Sequence, residues 1–247
     1  MYIANAPERA CKTGSKLRCP KGRERGAGRR STVGKTPAAP IHHIVFDLCG
    51  VLIHCDSERL YANLAAASGS RRSADEFRLS YEQAGITIGK TAPSAWLAAV
   101  APDVPELQRL AAFNAHLVPN RKLLRYVSDK FDLRRVGLIS NLSSIHWDHM
   151  RSSAPLLEQL VPRLFSFQLG IAKPDRAMFE MVLFTLQKAA QNVLVVDDRQ
   201  DNIQTAENIG FATHLFDGLF GLTQFIEDNL DLFKPVLGVA LVGSAAR

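Results

Sequence analysis

The sequence predicts an α/β fold, a doubly wound parallel sheet with a small all-helical insertion after its first strand. Three observations predict it. The run Ile44-Val45-Phe46 is continuously apolar, ends in Asp47 and breaks at Gly50, as a strand buried on both faces does at the carboxyl edge of a parallel sheet. Residues 56–118 then carry helical periodicity alone. From residue 134 onward strand and helix patterns alternate, which demands right-handed crossovers and parallel pairing.

Taken in order, residues 1–40 hold ten Lys and Arg against two Glu, whereas the remainder holds 20 basic against 22 acidic side chains. The formal net charge of +6 therefore belongs to the first segment. Rich in Gly, Ser and Pro and poor in large apolar groups, that segment reads as a disordered basic N-terminal arm, a solvated tail rather than a nucleic-acid or membrane anchor. The slightly acidic remainder argues against a nucleic-acid-binding body, and only the basic arm speaks for one. Residues 29–36 superficially resemble a phosphate-binding loop, but Arg29 stands where its first glycine belongs and no strand precedes it. No apolar h-region marks a secretory signal, and the apolar run 236–242 is far too short to span a bilayer. Cys11, Cys19, Cys49 and Cys55 lack paired metal spacing and read as thiols of a reducing compartment without a disulfide framework. The expected location is cytoplasmic.

After the Asp47 strand, a helix is expected over 57–67. Ser73 and Glu76 form a capping box opening a second, which Gly85 closes. A third surrounds Trp96, and Pro105 begins a fourth that Pro119 interrupts. No strand is expected between Ile53 and Leu133. Strands follow near 134–140, 163–168, 192–197 and 211–216, with helices near 175–188, 200–209 and 219–229. The expected domains are a core of 41–55 and 119–232, a helical cap of 56–118, and a tail of 233–247.

The strand ends carry the chemistry. Asp47 is a carboxylate ionised at neutral pH and able to attack phosphorus. Asp197 and Asp198 are adjacent anions at a buried edge, costly unless a hard divalent cation compensates them; Asp198 is expected in direct contact with it and Asp197 behind. Asp201 and Asn202 open the next helix, where they hold metal-bound water or cap the helix. Lys173 supplies a point charge for phosphate. Ser140 and the backbone N–H of Asn141 can donate to a phosphoryl oxygen. His146 and His149 lack a metal-ligand pattern, and His146 is expected at the mouth of the site.

In order, Asp47-Leu48-Cys49-Gly50-Val51-Leu52, Ser140-Asn141, Lys173-Pro174 and Asp197-Asp198 with Asp201-Asn202 resemble the signatures of the haloacid dehalogenase (HAD) superfamily of hydrolases. The resemblance covers about residues 41–230, in the branch whose helical cap is inserted after the first strand of a Rossmann-like core. Leu138-Ile139-Ser140-Asn141 followed by His146, Leu169-Gly170 before Lys173-Pro174, and the run 197–202 are similar to its sugar-phosphate phosphatases, of the bacterial α-D-glucose-1-phosphate phosphatase type. The resemblance implies a Mg²⁺-dependent phosphatase of a small phosphorylated metabolite, a sugar phosphate, working through an aspartyl-phosphate. Asp47, Ser140, Asn141 and Lys173 would be catalytic. Asp47, Asp197, Asp198 and the backbone carbonyl of Cys49 would hold Mg²⁺, with Asp201, Asn202 and His146 in support. The chain departs from the general pattern at Cys49, where a second Asp serves as acid and base; losing such help costs ~10²–10⁴ in rate. Two alternatives stand beside this reading. One is a metal-independent 2-haloacid dehalogenase, which the Asp197-Asp198 pair disfavours. The other is a catalytically weak binding or regulatory protein, supported by Cys49 alone.

Overall fold

The computed structural model describes residues 34–69 and 71–238. The expected arm up to residue 33, with Cys11 and Cys19, and the chain from 239 onward lie outside the described residues. Strand β1 (His43–Phe46) is followed by β2 (Ile53–Cys55) and by helices α1 (Ser57–Ser68), α2 (Ala74–Gln83), α3 (Pro93–Val100) and α4 (Glu106–Asn114). The chain returns through β3 (Leu117–Pro119), α5 (Arg121–Lys130), β4 (Val136–Ser140) and α6 (Ser144–Ser153). It then runs through β5 (Arg163–Phe165), α7 (Ser166–Leu169), α8 (Arg176–Leu186), β6 (Val193–Asp197) and α9 (Gln200–Ile209). β7 (Ala212–Leu215), α10 (Leu219–Asp228) and α11 (Leu230–Phe233) follow.

Five strands form one parallel sheet in the order β5-β4-β1-β6-β7, so the Asp47 strand is central. Period-two alternation in β1 sends Ile44 and Phe46 to one face and Val45 to the other. The first face packs on Leu123 and Val127 of α5, Met150 of α6 and Leu222 and Ile226 of α10. The second packs on Met178, Phe179 and Val182 of α8 and Ala206 of α9. Helices on both faces explain why the strands are apolar throughout. Burying one such Phe or Val side chain contributes ~1.5–3 kcal/mol. With Phe46 opposite Val196, Asp47 lies level with Asp197, and its amide donates to the Val196 carbonyl at 2.9 Å.

The four helices between β2 and β3 close over a separate apolar cluster that includes Leu64, Phe77, Trp96 and Phe113. Their starts follow local rules. Asp56 caps α1 by accepting from the Arg59 amide at 2.9 Å. The expected box at Ser73 forms, with Glu76 accepting from the Ser73 amide at 2.7 Å.

Within the fold, four expectations are corrected. Ile53–Cys55 and Leu117–Pro119 pair as a two-stranded antiparallel ribbon where no strand was expected; three residues each is too short for alternation to register. The strand expected over 163–168 ends at Phe165, and α7 follows it, closed by Gly170 at φ 72°. Residues 34–40, assigned to the arm, are anchored to the body. Lys35 and Thr213 exchange bonds of 2.7 and 3.1 Å, Asn192 Nδ2 donates to the Pro40 carbonyl at 2.8 Å, and Pro37 is buried. Phe233 and Val236, placed in the tail, are fully buried in the same core as β1.

Candidate active site

The carboxyl edge of the sheet gathers the strand-end residues. Asp47 follows β1 and is buried; its Oδ1 accepts from the Leu48 amide at 2.7 Å and from Ser140 Oγ, at the end of β4, at 2.7 Å. Lys173 reaches in from the loop before α8. Its Nζ lies 3.0 Å from Asp47 Oδ1 and 2.6 Å from Asp197 Oδ2, with its side chain only 1% exposed. The loop is fixed by a reciprocal pair: the Lys173 amide donates to Asn141 Oδ1 at 2.8 Å and Asn141 Nδ2 donates to the Lys173 carbonyl at 2.7 Å. Asn141 thus clamps the lysine loop to the β4 edge with its side chain.

Asp197 is saturated. Beyond Lys173, its Oδ1 accepts from Asn202 Nδ2 at 2.8 Å and from the Arg199 amide at 2.9 Å. Asp198, next in the chain, is exposed and lines the cavity onto which Asp47 opens. Burial pushes the Asp47 carboxyl up to about 6, Lys173 opposes the rise and Asp197 adds to it. Burial alone would lower the Lys173 ammonium, but Asp47 and Asp197 together hold it above its ordinary range. Desolvation, then the adjacent Asp197, raises Asp198. Lys173 compensates only part of a triple negative charge, which leaves the Asp47–Asp198 side in want of a cation.

Ligand atoms of Asp47, Asp197 and Asp198 lie within 4.8 Å of one another. All are hard oxygen donors, the set Mg²⁺ takes. A cradle is shaped for Asp198 as well. Gly50 has φ +86°, and a Cβ there would fall 2.9 Å from Asp198 Oδ1 and nearer still to Oδ2. Only glycine lets the loop after Asp47 approach the Asp198 carboxylate this closely. The residues present therefore fit a divalent cation.

These groups open onto a cavity of about 480 Å³, lined from the sheet edge by Asp47, Asn141, Lys173, Asp198 and Asn202 and from the helical insertion by Tyr61, Tyr81, Thr87 and His116. His146 also lines it, buried and stacked on Phe113 with ring centroids 4.2 Å apart. Burial lowers His146 to about 3 and His116 to about 4, so both imidazoles are neutral. Asn202 reaches the site, but Asp201 turns outward to Arg199 at 2.7 Å. The two do not act as the pair the sequence suggested.

Cys49, two residues past Asp47, lines the cavity, and its sulfur is not a free thiol. It is joined to Cys55 in a disulfide, with Cα atoms 5.2 Å apart, which overturns the expectation of unpaired cysteines. The turn at Gly50 explains it. The Ile53 amide donates to the Leu48 carbonyl at 2.8 Å and the Gly50 amide to the Ile53 carbonyl at 2.8 Å, folding Cys55 back beside Cys49. His116, Tyr61 and Tyr81 escaped the sequence reading, and no spacing signal marks them.

The sequence model of the haloacid dehalogenase-like hydrolases matches residues 41–210, and the chain belongs to that family. Its fold is similar to a HAD-like family hydrolase from Porphyromonas gingivalis, with 22% identity and a TM-score of 0.63 over 76% of this chain and 98% of that one. It is also similar to a HAD family enzyme from Bacteroides thetaiotaomicron solved in complex with magnesium and inorganic phosphate. There the identity is 23% and the TM-score 0.59, over 70% of this chain and 93% of that one. At these identities the likeness is one of fold. Drimenol cyclase drtB from Aspergillus calidoustus is 32% identical over 85 residues, which span 33% of this chain and 16% of that protein. Among the described residues, no helix is long and apolar enough to cross a membrane.

Proposed function

We propose that this chain is a Mg²⁺-dependent phosphatase of a small phosphorylated metabolite, with Asp47 as nucleophile. The observation that carries the reading is the union at one sheet edge of Asp47, Lys173 and Asp198, which line one cavity, with the buried Asp197 behind them. Ser140, Leu48 and Lys173 all engage Asp47 Oδ1, so Oδ2 is the attacking oxygen. It forms a bond to phosphorus as the bond from phosphorus to the leaving oxygen breaks. Water then attacks phosphorus, which releases inorganic phosphate and restores the carboxylate. Lys173 stabilises the developing charge on the phosphoryl oxygens, which is where catalysis of this transfer chiefly lies. When bound, Mg²⁺ would supply further charge neutralisation; Asp47, Asp198 and the Cys49 carbonyl would hold it, with Asp197 orienting Lys173 and Asn202 from behind.

A sugar phosphate suits the cavity best. The helical insertion lines it with Tyr61, Tyr81, Thr87 and the neutral His116, polar side chains suited to a polyhydroxylated body. With the Cys49 sulfur bonded to Cys55, no acid stands two residues past the nucleophile. A leaving group that departs without protonation, such as an anomeric oxygen, fits that gap. The haloacid reading is disfavoured because Asp198 would repel a haloacid carboxylate and has no role without a cation.

The test is phosphate release from a panel of phosphorylated sugars and other metabolites, with Mg²⁺ and with excess chelator. Release that needs Mg²⁺ and vanishes in Asp47→Asn with folding intact is expected. Full release in chelator, or turnover retained by Asp47→Asn, would overturn the reading.

A further inference from the structure

The chain enters and leaves the helical insertion through the β2–β3 ribbon, and the insertion also rests on the core, where Ser166 Oγ donates to the Thr87 carbonyl at 2.6 Å and Phe113 stacks on His146. Residue pairs Ile53 with Pro119, His54 with Val118 and Cys55 with Leu117 form the ribbon. Cys55 ends the outgoing strand and lies directly before Asp56, which caps α1. Cys49 belongs to the loop that carries Asp47 and whose Gly50 abuts Asp198. The bond from Cys49 to Cys55 therefore fastens the hinge of the insertion to the loop of the nucleophile. Both cysteines are partly exposed and line the open cavity, so a small thiol reagent reaches them without unfolding.

We propose that Cys49 and Cys55 are a thiol–disulfide exchange site whose redox state sets the freedom of the helical insertion. A dithiol reductant opens it in two steps. A thiolate of the reductant attacks one sulfur and gives a mixed disulfide, with the other cysteine released as thiol. The second reductant thiol then displaces the remaining cysteine. The protein gains two electrons and two protons, and the reductant becomes the disulfide. In the closed state the ribbon is stapled within the span from 49 to 55; in the open state its three residue pairs and the bonds from Asn120 to the Leu52 and Val51 carbonyls hold it, and short two-stranded ribbons are marginal by themselves. The proposal does not rest on the phosphatase reading, because a hinge is fastened or free whatever enters the cavity.

The experiment uses the full chain, prepared once with dithiothreitol and once with a disulfide oxidant such as diamide. Alkylation followed by peptide mapping reports Cys49 and Cys55 separately from Cys11 and Cys19, and amide exchange is followed across residues 53–55 and at Leu117 and Val118. Blocked Cys49 and Cys55 in the oxidised sample, alkylated in the reduced one, are expected. Ribbon exchange should be roughly tenfold faster on reduction. Cys55→Ser should exchange at the reduced rate under both treatments. Alkylation of both cysteines after oxidation, or equal ribbon exchange in the two states, would overturn the proposal.

Discussion

Replacing Gly50 by alanine separates the cation site from the rest of the fold. Two costs attach to that methyl group. At φ +86° an L-residue pays ~1–2 kcal/mol in backbone strain. The second cost is local to the site: the added Cβ would overlap Asp198 Oδ2, whereas ordinary contact begins at 3.4 Å. Asp198 must withdraw by more than ~1 Å, at least twice the ~0.5 Å tolerance of a working ligand set. Changes of this kind around a metal typically cost about 10–100-fold in affinity.

Gly69→Ala supplies the control. Gly69 closes α1 at φ +59°, and a Cβ there meets nothing within 4 Å, so it carries the same class of strain with no overlap. Thermal unfolding should show both variants destabilised, Gly50→Ala at least as much as Gly69→Ala. Mg²⁺ titration by calorimetry, which needs no substrate, should show Gly50→Ala weakened about 10–100-fold and Gly69→Ala unchanged. Undiminished Mg²⁺ binding by Gly50→Ala would refute the placement of the cation at Asp198, and equal weakening in both would assign the effect to strain alone.

Three further outcomes are expected. Lys173→Met leaves Asp47 and Asp197 facing each other without their shared ammonium, and removing one partner of a buried ion pair costs ~3–5 kcal/mol; urea unfolding checks this, and a loss below ~1 kcal/mol would contradict it. Deleting residues 1–33 should leave the melting temperature unchanged, whereas deleting 1–40 should lower it through the lost Lys35–Thr213 bonds and the buried Pro37; identical melting of the two truncations would sink the claim. Stability should fall on acidification through the neutral histidines. His116 and His146 are held at about 4 and about 3 against an ordinary 6.5, so their contribution is complete above pH 6.5 and is lost as pH falls from 6.5 toward 4, at ~1.4 kcal/mol per pH unit for each. Asp47, raised to about 6 from 3.8, acts oppositely over pH 6 to 4. The diagnostic is therefore the difference in urea midpoint between the wild type and His116→Gln/His146→Gln. A pH-independent difference would show that these imidazoles titrate normally.

What the sequence reveals and what it hides follow from one distinction, between positions fixed by strand period and positions fixed by packing. A strand buried on both faces has one polar outlet, its carboxyl end, so Asp47, Ser140 and Asp197 are legible as site residues from the apolar pattern alone. The sheet order then brings them together, because β1 lies between β4 and β6. His116, Tyr61 and Tyr81 reach the cavity only because the four inserted helices pack around Phe113 and Trp96, and no period in their sequence records which way that cluster faces. Asp201 and Asn202 show the limit within a single helix. Consecutive residues on an α-helix diverge by about 100°. When Asn202 turns in to donate to Asp197 at 2.8 Å, Asp201 is carried out to Arg199. A motif read as one unit is divided by the geometry of the helix that bears it, and the inward member is the buried one that holds Asp197 in place.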